Sequence, residues 1–256
     1  GSQGVCRLCG FTCGPKGVAR IRLHDTVTFT VRQTHLNDFL PTLWLTLRLA
    51  TLTTALLLVV GVPLAYLLAF RRFPLRAVVS AVVSLPLVLP PTVLGFYLLL
   101  AFSPAQAPGR WLLGWFGVSL NFTFAGILIG SVLYSLPFMV QPVQAAFESF
   151  PHSLIEAAHT LGKSRWQTLW HVVLPNIRPA LLSGAVLSFA HTIGEFGVIL
   201  MIGGNIPGET RVASIAIYDK VEELRYADAN EYSLYLLLIS LILLLLLNRF
   251  AKSRLF

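Results

Sequence analysis

The chain has 256 residues, 55% hydrophobic and only 12% charged, with a mean hydropathy of +0.74. Soluble globular chains carry about twice that charge fraction and disordered ones need low hydrophobicity, so both classes are excluded and a multi-span membrane protein remains. The net charge of +8 would suggest nucleic acid in a soluble protein. Here loops at a membrane surface account for the bases, and no nucleic-acid partner is expected.

Residues 1–39 hold all the cysteines, Cys6, Cys9 and Cys13. Their spacing, with His24 beyond, lacks the second ligand pair of a zinc finger, and no metal site is expected. The Gly1-Ser2 start reads as an engineered or processed end. From Arg20 to Val31 the apolar residues Ile21, Leu23, Val27, Phe29 and Val31 alternate, which suits a short strand or an interfacial segment. The chain therefore divides into an N-terminal segment of unassigned role (1–39), a membrane domain (40–250) carrying a cytoplasmic loop at 150–176, and a cytoplasmic tail (251–256).

A spanning helix needs about twenty apolar residues. Five segments qualify, at about 41–70, 77–102, 122–147, 179–203 and 232–249. The last is nearly all leucine and reads as a lipid-facing span. Arg71, Arg72 and Arg76 follow the first span; Lys163, Arg165 and Arg178 lie between the third and fourth; Arg249, Lys252 and Arg254 follow the fifth. These regions face the cytoplasm by the excess of bases. The opposite side has Arg110 in one loop, and in the other Glu209, Asp219, Glu222, Glu223, Asp228 and Glu231 against Arg211, Lys220 and Arg225. Five spans put the N-terminus outside, where Arg7, Lys16, Arg20, Arg22 and Arg32 against Asp25 and Asp38 break the rule. That conflict leaves a six-span count open.

The second span is interrupted by Pro86, Pro90 and Pro91. Backbone freed at membrane depth is tolerated only against protein or a water-filled path. Thr92, followed by Gly95, is expected to place a hydroxyl and accessible backbone just past the break. Such donors suit an oxyanion, which offers only acceptors. Glu195 is the one acid inside an expected span, a functional candidate by its depth. Like charge makes it a poor lining for an anion path. It is expected to cap backbone N–H groups or pair with His191 or Arg48, with Gly194 and Gly197 allowing close helix approach.

The stretch from Pro151 to Pro175 carries helix punctuation inside a loop longer than a bundle connection requires. Ser153 with Glu156 and Ser164 with Gln167 have capping-box spacing, and Gly162 supplies a stop between them. Two short helices joined at a glycine corner are expected, the second ending before Pro175. Ala157 and Ala158 give the first a small-residue face, and Lys163 and Arg165 stand at the corner.

Glu156-Ala157-Ala158, three residues, Gly162, nine residues, then Val172-Val173-Leu174-Pro175 resembles the EAA motif of ABC importer permeases, with Val172 in place of the usual isoleucine. The resemblance implies an all-α membrane protein with the type I ABC importer permease fold. It also implies that Glu156, Ala157, Ala158, Gly162, Lys163, Leu174 and Pro175 couple the chain to a cytoplasmic ABC ATPase, two copies per transporter. Two more stretches, Leu85–Leu99 and Phe189–Tyr218, are similar to molybdate and sulfate permeases, and the run from Asn205 to Arg211 is most similar to the molybdate subunit.

The resemblance thus implies a homodimeric molybdate permease in the bacterial inner membrane, served by a periplasmic or lipoprotein molybdate-binding protein. Its alternatives are a sulfate, thiosulfate or tungstate permease. The pathway or gate candidates are Thr92, Gly95, Glu195, Asn205 and Arg211. No catalytic residues are expected: the chain lacks a Gly-x4-Gly-Lys-Ser/Thr loop, so it binds no cofactor itself and ATP and Mg belong to the partner ATPase. A membrane-embedded enzyme would need a nucleophile with its base or a metal set at depth, and neither is visible. An ATP-independent secondary anion transporter would show intramembrane charge pairs and internal repeats, and would have no use for the Pro151–Pro175 loop.

Overall fold

The computed structural model describes the backbone of residues 22–71, 73–117 and 119–253, with side chains from Phe39 to Leu245. The cysteine triad, the Gly1-Ser2 start, Arg72 and Arg254 lie outside the described residues. Two units are distinguished, residues 1–38 and 39–256. In the first, the backbone from Arg22 onward is helical rather than extended, so the alternating pattern there does not make a strand. Extending an existing helix is cheaper than nucleating a separate element, and helix α1 (Arg22–Phe70) runs through this stretch.

In the second unit every described element is helical. The part of α1 from Phe39 to Phe70 is 32 residues long and apolar enough to cross a membrane. At 1.5 Å per residue it reaches about 48 Å, beyond the roughly 30 Å of hydrocarbon. A broken pair follows: α2 (Arg76–Ser84) with a 3-10 turn at Leu85–Leu87, then α3 (Pro91–Phe102), bent by 115° from the first part. Three prolines within six residues explain the bend, because Pro90 and Pro91 donate no backbone N–H and α3 restarts with Pro90 as its cap.

After α3 comes α4 (Ala107–Phe116), in the loop expected to face outward. Gly109 lets it sit on the end of α3, where a Cβ would come within 2.2 Å of the Ser103 carbonyl oxygen. The third span is α5 (Phe124–Glu148), capped by the Thr123 hydroxyl, which accepts from the Gly126 N–H at 3.2 Å. The expected fourth span is not one helix. It consists of α9 (Arg178–Gly194) and α10 (Gly197–Gly203), parted at Glu195 and Phe196, with Glu195 extended at ψ 131°. The outer loop contains α11 (Ala213–Glu222), and α12 (Tyr226–Ser253) makes the last span. Its leucines at 234, 237, 238, 241 and 245 are exposed, consistent with a lipid-facing role. Three of the described helices are long and apolar enough to cross a membrane, and the count reaches five if the bent pairs Arg76–Leu87 with α3 and Arg165–Asn176 with α9 are each one span.

Three apolar clusters hold the unit together. One packs Leu57, Ala65 and Leu68 of α1 against Met139, Val140, Val143 and Phe147 of α5 and against Val173 and Ile177. A second joins Leu49, Ile127, Ile199, Val212 and Ile215. The third stacks Phe39 on Tyr232 at 4.1 Å, tying the start of the first span to the last. A polar tie joins α1 to the outer loop, where the buried Thr46 hydroxyl accepts from the Ala213 N–H at 2.8 Å.

Candidate functional site: a helical bracket and a crossing of broken helices

The loop after α5 folds into α6 (His152–Thr160), a corner, and α7 (Arg165–Thr168) continued by a wide π turn (Leu169–Val173) and α8 (Leu174–Asn176). At the corner Gly162 has φ +75°, a left-handed backbone that favours glycine. The Lys163 N–H donates to the Ala158 carbonyl at 3.0 Å and the Gly162 N–H to that of His159 at 3.0 Å, the paired bonds of a Schellman stop. Two residues on, Ser164 and Gln167 cap reciprocally: the Gln167 N–H donates to the Ser164 hydroxyl at 3.3 Å, and the Ser164 N–H to the Gln167 side-chain oxygen at 3.0 Å. The turn is therefore fixed from both sides.

Two local expectations fail. The Ser153–Glu156 capping box does not form: Pro151 is the cap of α6, which puts Ser153 inside the first turn. The second helix does not stop before Pro175. The π turn widens the helix, with the Leu174 N–H reaching back to the Leu169 carbonyl, and the Asn176 amide donates to the Val172 carbonyl at 2.7 Å. Pro175 is accommodated at the start of α8, and the direction changes by 69° only at Ile177.

The bracket's two alanines part ways. Ala158 is buried against the chain's own body, while Ala157 is exposed beside Glu156, whose carboxylate has no partner among the described residues. Lys163 is exposed at the corner, and Leu174 and Pro175 are half-buried where the bracket returns to the membrane. Leu161, Trp166 and Trp170 are 80%, 70% and 62% exposed. That apolar surface on a polar loop marks a contact face. The motif spacing did not mark these residues, although two tryptophans four apart in a short loop helix were a readable signal.

The second feature lies where the two broken helices meet. Gly95 on α3 faces α10 so closely that a Cβ would fall 2.8 Å from Met201 Cβ, and one on Gly197 would fall 2.7 Å from Pro91 Cβ. Gly95 is thus closed off by Met201 and Val198 and offers no accessible backbone. Gly194 has open space about it and takes no part in close approach. Thr92, in the first turn of α3 beside this contact, is exposed, and a Cβ on Gly197 would fall 3.3 Å from its backbone nitrogen.

Glu195 is buried at the α9–α10 break. It pairs with neither expected base. The His191 Nδ1 shares a hydrogen bond with the Ser135 hydroxyl at 2.9 Å and its ring stacks on Phe138 at 4.1 Å, while the Arg48 guanidinium lies 4.6 Å over the Phe124 ring. Ser131 on α5 faces Glu195, yet neither carboxylate oxygen nor the Ser131 hydroxyl completes a hydrogen bond among the described residues. The Glu195 carbonyl is used, accepting from the Ser214 hydroxyl at 2.7 Å.

On the outer side Asn205 and Arg211 act together. The Asn205 amide donates to both Asp219 carboxylate oxygens at 2.7 Å, and the Arg211 Nε donates to the Asn205 side-chain oxygen while lying 3.6 Å from Asp219. Arg211 thus already has a counter-ion. Further along, a hydrogen bond from Lys220, with Arg225 also close, holds the Glu223 carboxyl below the usual carboxylate range.

The model of the family described as binding-protein-dependent transport system inner membrane component matches residues 61–253. The molybdenum transport system permease protein ModB of Azotobacter vinelandii is 54% identical over 73% of this chain and 82% of its own length. The sulfate transport system permease protein CysT of Escherichia coli (strain K12) is 38% identical over 74% of this chain and 68% of its own. Among solved structures, a bacterial ABC transporter involved in the import of alginate matches at TM-score 0.72 and 20% identity, covering 92% of this chain and 90% of that one. The MetNI methionine ABC transporter matches at TM-score 0.67 and 18% identity, covering 86% and 97%. The fold is that of ABC importer permeases, and the chain belongs to the binding-protein-dependent transport system inner membrane components.

Proposed function

We propose that this chain is the permease subunit of an ATP-driven molybdate importer in the bacterial inner membrane, working as a homodimer. The observation that carries the reading is the bracket, a turn fixed by Gly162 and Ser164 that presents Glu156, Ala157, Lys163 and an apolar face to a soluble partner. That partner is a pair of cytoplasmic ABC ATPase subunits, which hold ATP and Mg; this chain supplies no cofactor site and no hydrolytic group.

Closure of the ATPases on ATP pushes the bracket. Because α7, the π turn and α8 run directly into α9, the push reaches the α9–α10 break and then α3 through the Gly95 and Gly197 crossing. Thr92 and Phe96, one turn apart on α3, are exposed, and in this reading a second copy meets them across the path. A hydroxyl there offers the oxyanion a donor that binds loosely enough to release. Glu195 is buried, which suits an acid kept off an anion path.

The outer loop from about 205 to 231 receives the substrate-binding protein. Molybdate as the substrate is supported by the 54% identity to the Azotobacter permease, against 38% to the sulfate permease. The test is uptake of labelled molybdate by vesicles holding this chain with its ATPase and binding protein, with tungstate and sulfate as competitors. Inhibition by tungstate and not by sulfate is expected; inhibition by equimolar sulfate would reassign the substrate to sulfate.

A further inference from the structure

We propose that the cleft between the cytoplasmic end of α1 and the bracket binds the phosphate headgroup of an anionic lipid from the cytoplasmic leaflet. The cleft measures about 270 Å³. Its rim carries Arg71 from the end of α1, His159 from α6 and Arg165 from α7, and its apolar wall includes Tyr66, Phe70 and Leu169. No acid lines it. Nor do Arg71, His159 and Arg165 make a side-chain ion pair or hydrogen bond among the described residues, whereas nearby Arg76 is neutralised by Glu148 at 2.7 Å. Two guanidinium groups and an imidazole therefore converge on one concavity with no counter-charge among the described residues.

A free anion needs only the rim. The aromatic and aliphatic wall, in which the half-buried Tyr66 and Phe70 pack on Phe147 at the end of a membrane-spanning helix, favours an amphiphile whose headgroup meets the bases and whose chain begins against that wall. Basic pockets at the cytoplasmic ends of spanning helices have this chemistry. One side of the cleft belongs to the first span and the other to the bracket. A bound lipid thus braces the coupling element against the membrane. The inference rests on the proposed function only for which end of α1 is cytoplasmic.

The test uses the full complex of permease and ATPase, purified from membranes doped with phosphatidylglycerol and phosphatidylcholine, with retained lipid counted by native mass spectrometry. The wild type is expected to retain phosphatidylglycerol preferentially. The preference falls about fivefold for each arginine neutralised in Arg71→Gln and Arg165→Gln, and survives in the charge-keeping Arg71→Lys/Arg165→Lys variant. Equal retention in wild type and the double glutamine variant would overturn the proposal. So would displacement of the lipid by millimolar inorganic phosphate, which would make the cleft a free-anion site. Loss of the ATPase with no change in lipid would overturn it too, assigning the arginines to a carboxylate of that partner. Molybdate uptake measured on the same preparations reports the functional reading separately, since lipid preference can fail with uptake intact.

Discussion

Gly162 has the most constrained backbone in the bracket. Its φ of +75° costs a β-branched residue about 1–2 kcal/mol, while nothing within 4 Å obstructs a side chain. Gly162→Val is therefore expected to bend the corner without disturbing the spans: the complex should assemble and hydrolyse ATP while molybdate uptake per ATP falls at least several-fold. Parallel ATPase and uptake assays on one vesicle preparation check this, and wild-type coupling would refute the role of the corner. Glu195 argues differently. A buried carboxyl that completes no hydrogen bond among the described residues, with only the Ser131 hydroxyl facing it, costs about 1–3 kcal/mol, so Glu195→Leu is expected to raise the thermal unfolding temperature of the purified complex. It should also slow transport if the acid is kept for the moving break between α9 and α10. A lower unfolding temperature would mean that Glu195 has a partner in the assembled protein.

At the scale of elements, the crossing of α3 and α10 works as one joint because glycine is present on each helix. Gly197→Leu would drive a side chain into Pro91 and is expected to cost about 1–3 kcal/mol through overpacking and to abolish uptake. Gly194→Ala, three residues away in open space, should leave both unchanged. Thermal unfolding and uptake of the pair separate a packing joint from a merely glycine-rich segment. The sequence located this joint only in part. The prolines announced the α2–α3 break, since a missing N–H is a local property. The break at Glu195 was read as a continuous span, because an interruption without proline depends on what packs against it. The Ser164–Gln167 cap was legible, being complete within four residues. Ser153 had the same spacing but lost its place to Pro151, which starts α6 two residues earlier. The exposed helix α4 and the outer helix α11 carried no motif and were not anticipated.

At the scale of the molecule, three helices are long enough to cross a membrane and two bent pairs bring the count to five, the number of apolar segments in the sequence, although the second pair, Arg165–Asn176 with α9, begins earlier than the segment at 179–203 and the N-terminal charges do not fit five crossings. Basic residues gather in the segments flanking the bracket, and in the loop from 205 to 231 Asp219, Glu223 and Asp228 pair with Arg211, Lys220 and Arg225. An exposed cysteine introduced at Lys163 should accordingly be labelled by a membrane-impermeant thiol reagent only after the inner face is opened, and one at Glu209 in intact spheroplasts. The central claim is that this chain moves an oxyanion only when a soluble ATPase pushes on the bracket. Its most direct test is molybdate uptake by vesicles containing the chain, its ATPase and its binding protein, with ATP supplied or withheld inside. Uptake that requires ATP and disappears with a hydrolysis-deficient ATPase is the predicted result; uptake at the same rate without ATP would contradict the account.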